Sequence, residues 1–275
     1  APCTLCPRQC RVDRLAGETG FCGGGALARV ASAGPHFGEE RPLVGRGGSG
    51  TVFLSGCNLG CLFCQNYHIS HHLVGEAVAA QGLVGIMLSL QRQGCHNINF
   101  VTPTHFLPQV LEAVRAAIPL GLHLPIVYNC GGYEALAALR LLEGVVDIYM
   151  PDAKFLDAGV AQRLCDAPDY PEHMQAAVRE MHRQVGPLQV DTEGIARRGL
   201  LVRHLVMPAG WSTSPEVMRF LASVDADIYV NVMAQYRPCY RAAEVAEIAR
   251  RVTVEEVQGA RQAARAVGLG RLDRG

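Results

Sequence analysis

The chain is short of charge and of aromatic side chains. Charged residues make up 18% of it and aromatic residues 6%, with a single tryptophan. Basic and acidic side chains balance at 25 each, and hydrophobic residues reach 49%. Such a composition excludes a disordered tail and an electrostatic binder of nucleic acid. No apolar run approaches the length of a membrane span. A signal peptide is not expected either, since Cys3, Cys6 and Cys10 sit among proline and arginine where a leader needs an apolar stretch. Internal repeats and low-complexity blocks are also missing. What remains is 275 residues, enough for one large α/β domain with a real core, or for a domain plus a small extension.

Cysteine is what the sequence does have. There are eleven, an odd number, and seven fall in two tight clusters. That is metal usage in a reducing compartment rather than a disulfide framework. A cytoplasmic protein working with little oxygen is the expectation.

The denser cluster lies in residues 51–66, TVFLSGCNLGCLFCQN. An apolar, β-branched run stops at Gly56 and delivers Cys57, Cys61 and Cys64 in one loop. Soft sulfur ligands suit zinc, copper(I) or an iron–sulfur cluster. Closed sites usually take four protein ligands, so a cubane held by these three would keep one iron open. Gly56 and Gly60 fit the tight backbone this needs, and Phe63 offers an apolar face to cover a cluster. Buried structural cysteines, or a zinc loop completed from elsewhere, are the alternatives.

Gly56-Cys-Asn-Leu-Gly-Cys-Leu-Phe-Cys-Gln-Asn66 resembles the radical S-adenosylmethionine (SAM) signature in the form found in pyruvate formate-lyase activating enzymes. The resemblance implies a [4Fe-4S] cluster on Cys57, Cys61 and Cys64, with SAM chelating the fourth iron and Phe63 and Asn66 beside the cofactor. It implies reductive cleavage of SAM to methionine and a 5′-deoxyadenosyl radical that abstracts hydrogen. A reductant such as flavodoxin or ferredoxin, and a glycyl radical enzyme or other protein or peptide substrate, are the implied partners.

The second cluster is Cys3, Cys6, Cys10 and Cys22. Four thiols at x2, x3 and x11 spacing can close a tetrahedral site. A segment this short and rich in glycine and arginine buries little core, so a metal would supply its folding energy. Zinc, an auxiliary iron–sulfur cluster, or free redox-active thiols are the three readings. Similar Cys-x-Leu-Cys-Pro-Arg-x-Cys starts occur in activating-enzyme homologues of unassigned substrate. Residues 26–50 show little periodicity and read as a crossing loop. Glu39 and Glu40 there belong either to a solvated turn or, by resemblance, to the active-site mouth.

From residue 51 on, apolar strands alternate with helical stretches. Strands are expected at 51–55, 97–101, 125–129, 146–150, 200–207 and 227–233. Helices are expected near 75–93, 105–117, 133–142, 171–185, 213–223 and 241–250. Buried strands linked by helices imply a parallel sheet. The fold class is therefore α/β, a partial (β/α)6 TIM-like barrel with a small Cys-rich N-terminal extension; a flavodoxin-like doubly wound sheet is the runner-up. The divisions are a metal-binding extension and crossing loop over 1–45, the core over 46–240, and C-terminal packing helices over 241–275. Within the last, Thr253-Val-Glu255-Glu256 has the form of a capping box, and residues 268–275 are expected to fray.

Parallel α/β folds carry their chemistry at the carboxyl ends of the strands, and polar residues gather there. Thr102-Pro-Thr104-His105 follows the second strand, where the family has a Gly-rich segment holding the SAM amino group; the 102–104 backbone, Thr102 or Thr104 would take that task, while His105 begins a helix. Asn129 precedes Cys130-Gly131-Gly132, a turn open to close backbone approach, and is the polar contact implied for SAM. Cys130 and Cys95 read as small buried residues. Asp152 and Lys154 resemble the family's Asp-x-Lys step beside SAM, or else form an ordinary ion pair. Arg203 lies inside an apolar strand, where an unpaired charge is costly; Asp152 or the SAM carboxylate is its expected partner. His204 should face the opposite way and pack against a helix. Gln235, Tyr236 and Arg237 follow the last strand and either line a substrate mouth or form a lid.

Together these readings make the chain a radical SAM enzyme resembling glycyl-radical-enzyme activases. A small-molecule or peptide-modifying enzyme of the same fold is the alternative, and a non-catalytic iron–sulfur electron carrier is the alternative of another class.

Overall fold

The computed structural model describes residues 2–273. In chain order the strands are β1 (Ala28–His36), β2 (Ser49–Leu54), β3 (Glu76–Val78), β4 (Ile98–Val101), β5 (Ile126–Cys130), β6 (Ile148–Pro151), β7 (Gln189–Val190), β8 (Ala196–Leu205) and β9 (Tyr229–Met233). The helices are α1 (Arg41–Val44), α2 (Tyr67–Ser70), α3 (Ala80–Arg92), α4 (Leu107–Ala117), α5 (Leu136–Arg140), α6 (Ala158–Cys165), α7 (Tyr170–Val185), α8 (Ser214–Val224) and α9 (Val254–Ala266).

Strands β2, β4, β5, β6, β8 and β9 run parallel, each beside the next in chain order. This is the expected six-stranded partial barrel. The unbroken order excludes the doubly wound sheet, in which the strand order reverses partway. Strand β1 lies antiparallel on β2, and β3 lies antiparallel on β1. Strands β5 and β6 are buried along their whole length, because both faces of a parallel sheet are covered.

The period of two along each strand sorts its residues. Tyr128, Tyr149, Leu200 and Val202 belong to the large core outside the sheet, under the helices. Val127, Ile148, Met150 and Leu201 form a smaller inner core, closed by Leu43 of α1. Continuing each inward series by two residues gives Asn129, Asp152 and Arg203. The inner apolar layer therefore ends, at the carboxyl side of three adjacent strands, in a polar one.

Several local expectations change. The helix expected over 75–93 begins only at Ala80; Glu76–Val78 pairs instead with Ala28–Val30 as β3, after Gly75 turns the chain at φ 98°. Leu83, Met87 and Leu90 keep helical spacing within α3, whereas Val78, five residues before Leu83, falls outside that series. Gly34 and Pro35 give β1 the sequence of a loop. Strand β3 covers only Ala28–Val30, so the rest of β1 is an edge, where proline is tolerated. Helix α6 has no counterpart among the expected helices, and the helix expected over 133–142 is the single turn and a half of α5. Over 241–250 there are two 3-10 turns, Ala242–Glu244 and Ala246–Ile248. Val245, extended between them at φ −122° and ψ 101°, breaks the helix yet still buries its side chain with Ile248. Residues 268–273 do not fray: Leu269 is buried, Leu272 bridges Val230, and the Asp273 N–H donates to the Val230 carbonyl at 2.9 Å. Residues 274 and 275 lie outside the described residues.

The capping box forms. The Glu256 N–H donates to Thr253 Oγ1 at 3.2 Å, and the Thr253 N–H donates to Glu256 Oε2 at 2.8 Å. Thr253→Ala should lower stability by about 1 kcal/mol, read from the urea midpoint; an unchanged midpoint would mean that α9 contributes nothing to global stability.

Candidate active site

Strand β2 ends at Leu54, and Gly56, at φ 90°, turns the chain into the cysteine loop. Cys57, Cys61 and Cys64 face one cavity of about 150 Å³. The Leu59 N–H donates to Cys57 Sγ at 3.3 Å. Cys64 Sγ lies 3.2 Å from Ser70 Oγ, and Cys61 Sγ lies 3.1 Å from Cys165 Sγ. Burial raises the Cys57 and Cys64 thiols, and the neighbouring thiols add to it. At Cys61 the contact with Cys165 raises the thiol first, and burial second. Thiols held this way stay protonated until a cation compensates the thiolate.

The opposite wall is the polar layer above the inner core. Arg203 donates from Nε to Asp152 Oδ1 at 2.9 Å and from Nη2 to Asn129 Oδ1 at 2.8 Å. Lys154 Nζ donates to Asp152 Oδ2 at 2.6 Å. Burial alone would push the Asp152 carboxyl up, but Arg203 and Lys154 outweigh it and hold it below its usual range. Burial works against the Lys154 ammonium too, and Asp152 outweighs it, so the ammonium stays charged. Glu39 Oε2 stands 3.9 Å from Arg203 Nη1; burial pushes its carboxyl up to about 7 despite that arginine. Asp152 thus hydrogen-bonds both cations, and Glu39 and Glu40 also act on Arg203. A wall carrying charges of both signs suits a zwitterionic ligand.

Most of the residues singled out from sequence meet here. Asn66, Thr102, Asn129, Asp152, Lys154 and Arg203 line the same cavity as the three cysteines. Thr102 adopts φ 58°, and its N–H is taken by the Asn129 carbonyl at 2.8 Å. Two others stand elsewhere. Phe63 is buried against Tyr236, ring centroids 6.2 Å apart. Thr104 is buried and donates to Glu134 Oε1 at 2.7 Å. His105, within a 3-10 turn, bonds the Ser55 carbonyl, and burial lowers it to about 4. His204 packs outside the sheet between the Ala153 carbonyl and Ser214 Oγ. Tyr236 is buried with its hydroxyl on the Ile248 carbonyl, which is a bracing position, while Gln235 and Arg237 are exposed. Glu40 is buried and accepts from Asn231 Nδ2 at 3.0 Å, so it is no solvated turn residue.

Sequence reasoning missed Cys165 and Glu134, and it placed Glu39 by resemblance at the active-site mouth without pairing it with Arg203. Lys154, already singled out, is also the chain's only lysine. The four N-terminal cysteines surround a second, smaller cavity. Among the described residues, no three His, Cys, Asp or Glu side chains meet closely enough to enclose a single ion. Filling either cysteine set would require the thiols to close onto the incoming centre. No helix among the described residues is long and apolar enough to cross a membrane.

No family model matches the chain. An uncharacterized protein of Methanocaldococcus jannaschii, MJ0674, is 31% identical over 281 residues, covering 97% of this chain and 75% of the relative. Among solved structures, a radical SAM methyltransferase from Sphaerobacter thermophilus superposes with a TM-score of 0.54 at 17% identity, covering 82% of this chain and 67% of that one. The chain has the fold of that enzyme. The radical S-adenosylmethionine methyltransferase TsrM from Kitasatospora setae, solved with cobalamin and a [4Fe-4S] cluster, gives a TM-score of 0.49 at 16% identity over 68% of this chain and 36% of that one, a likeness too loose to carry an argument.

Arg203→Ala would leave Asp152 short of one partner in a buried site. The expected loss is about 3 kcal/mol, measured by urea denaturation. Asp152→Asn in the same chain should return part of it; strict additivity of the two substitutions would mean the groups are not coupled. Glu134 gives a pH test. Burial pushes its carboxyl up to about 7 from the ordinary 4.5, against the donors Thr104 and Tyr128. Between those values the folded chain binds a proton that the unfolded chain has lost, so this contribution to stability falls as pH rises. The stability of wild type relative to Glu134→Gln should therefore decline from pH 4.5 to about 7; a flat difference would show that Glu134 ionises normally.

Proposed function

We propose that this chain, which belongs to the same family as the Methanocaldococcus jannaschii protein MJ0674, is a radical SAM enzyme. One observation carries the reading: three cysteines from a single strand-end loop share a cavity with the Asn129, Asp152, Lys154 and Arg203 network. The residues present suit both groups the reading requires. Three soft thiols from one loop can hold an iron–sulfur cluster while leaving a coordination position free. The polar wall opposite can hold a zwitterion.

When bound, a reduced [4Fe-4S] cluster and SAM supply a one-electron cleavage that gives methionine and a 5′-deoxyadenosyl radical. The protein's tasks are binding, orientation and exclusion of water. Cys57, Cys61 and Cys64 ligate, each losing its proton as it does so. Lys154 and Arg203 meet the carboxylate of SAM, and Asp152, already paired with both, keeps those two cations aimed. Asn129, its Oδ1 held by Arg203, would offer its Nδ2 donors to the ribose hydroxyls. Thr102 contributes through its left-handed backbone rather than through a free N–H. Asn66 sits beside Cys64 at the cavity wall. A flavodoxin or ferredoxin is the reductant this chemistry calls for.

Two reactions fit downstream. The loop motif favours hydrogen abstraction from a partner protein, as in activases of glycyl radical enzymes. The likeness to the Sphaerobacter enzyme brings methyl transfer, which leaves S-adenosylhomocysteine instead. The test is anaerobic: reconstitute with iron and sulfide, reduce with dithionite, add SAM and separate the products. 5′-Deoxyadenosine that disappears in Cys64→Ala is the expected outcome. S-adenosylhomocysteine alone would move the reading to methyl transfer. Neither product, with the cluster intact and reduced, would leave an electron carrier as the function.

A further inference from the structure

Residues 2–25 contain one 3-10 turn, Arg14–Ala16, and neither strand nor α-helix. Their order comes from turns around the cysteines. The Cys3 N–H donates to the Val12 carbonyl at 3.0 Å, the Arg11 N–H to the Cys3 carbonyl at 2.9 Å, and the Gln9 N–H to the Cys6 carbonyl at 3.0 Å. Gln9 and Arg11 adopt φ 41° and 57°, conformations that cost free energy outside glycine. Few buried apolar side chains are present to offset that cost; the buried ones are Cys6 and Cys22 themselves. All four cysteines face one cavity. Three donors already point at two of the sulfurs. The Phe21 N–H reaches Cys10 Sγ at 3.4 Å, the Gly24 N–H reaches Cys22 Sγ at 3.4 Å, and Arg14 Nη2 reaches Cys22 Sγ at 3.3 Å. Donors to sulfur are the outer shell that a ligating thiolate requires.

The same segment grips the loop of the candidate active site at several points. Arg8 donates from Nε to the Asn58 carbonyl at 3.0 Å, from Nη2 to the Cys165 carbonyl at 3.1 Å, and from Nη1 to the Asp166 carbonyl. Its guanidinium also stacks 3.7 Å above Phe21. Asn58 adjoins Cys57, and Cys165 is the neighbour of Cys61. Arg14 donates to the His105 carbonyl, and the His105 ring bonds the Ser55 carbonyl just before the loop. At Gly56 the backbones touch: a Cβ there would lie 2.3 Å from the Cys22 carbonyl oxygen.

We propose that Cys3, Cys6, Cys10 and Cys22 bind a thiophilic metal centre, and that this centre fastens Arg8 and Arg14 onto the loop that carries Cys57, Cys61 and Cys64. On binding, the thiols release their protons to solvent and each sulfur forms one bond to the metal. Zinc and an iron–sulfur cluster are the two sources of that chemistry. Arg8 and Arg14 act as positioning residues.

The test uses the full chain with Cys57, Cys61 and Cys64 all changed to Ala, so it does not depend on the catalytic reading. Metal and acid-labile sulfide are measured after anaerobic purification. Retained metal that is lost on adding Cys22→Ser is the expected result. Zinc without sulfide identifies a single ion, and iron with sulfide identifies a cluster. No metal, metal unaffected by Cys22→Ser, or a disulfide among the four cysteines by mass spectrometry would overturn the site. Chelation of the triple variant covers the case in which Cys22→Ser does not fold. Removing the metal should speed amide exchange about tenfold across 57–66 and at 165–166. Arg8→Ala should keep the metal and show the same acceleration at 165–166. Exchange there unmoved by either change would overturn the fastening role.

Discussion

Arg203 places a permanent positive charge on the inner face of a strand whose neighbours are apolar. A guanidinium cannot escape by losing its proton, so its surroundings must supply a carboxylate. Asp152 supplies it, one strand away, with Arg203 Nη2 at 2.8 Å. That pairing sets the register of the site. Asp152 can face Arg203 only if β6 and β8 run side by side with their inner faces aligned, and the Asp152–Arg203 bridge extends that pairing beyond Tyr149 and Leu200. Asn129 and Lys154 are then held by the same two charges. The polar layer is thus one connected network, and the inner apolar cluster beneath it is the floor that keeps water from competing for those bonds.

The parallel strands were legible because each is a short, largely apolar run with a polar residue at or near its carboxyl end. Burial on both faces made those runs continuous, and their order along the chain is their order in the sheet. The edge was less legible. Strand β1 carries Gly34 and Pro35, which a central strand would not tolerate, and β3 is three residues long. Neither has a periodic signature long enough to read. The stretch 241–250 failed for the converse reason. Val245 and Ile248 sit at helical spacing, but an extended Val245 and two 3-10 turns bury them equally well.

For the site, strand-end residues were found by counting in twos from buried neighbours, which is why Asn129, Asp152 and Arg203 converge. Loop residues do not obey that count. Thr104 and Phe63 lie within two residues of cavity-lining positions, yet one turns toward Glu134 and the other toward Tyr236. Cys165 and Glu39 arrive from segments far away in sequence. No local pattern announces a residue whose importance lies in a contact across the barrel.

Lys154 shows how composition can carry chemical information that periodicity does not. The chain uses arginine at every other basic position. At exposed positions, where either cation would serve, the choice says little about structure. Lys154 is mostly buried, its side chain 13% exposed, and its ammonium must share Asp152 with Arg203. A guanidinium there would set two planar forks on one carboxylate. An ammonium is a compact charge with three donors free to turn: one holds Asp152 Oδ2, and the others remain available toward the cavity. Arginine at 203 supplies the rigid fork that spans Asp152 and Asn129 together. The two cations are therefore not interchangeable, and their division of labour leaves fixed hydrogen bonds in the wall and an adaptable charge facing the cavity.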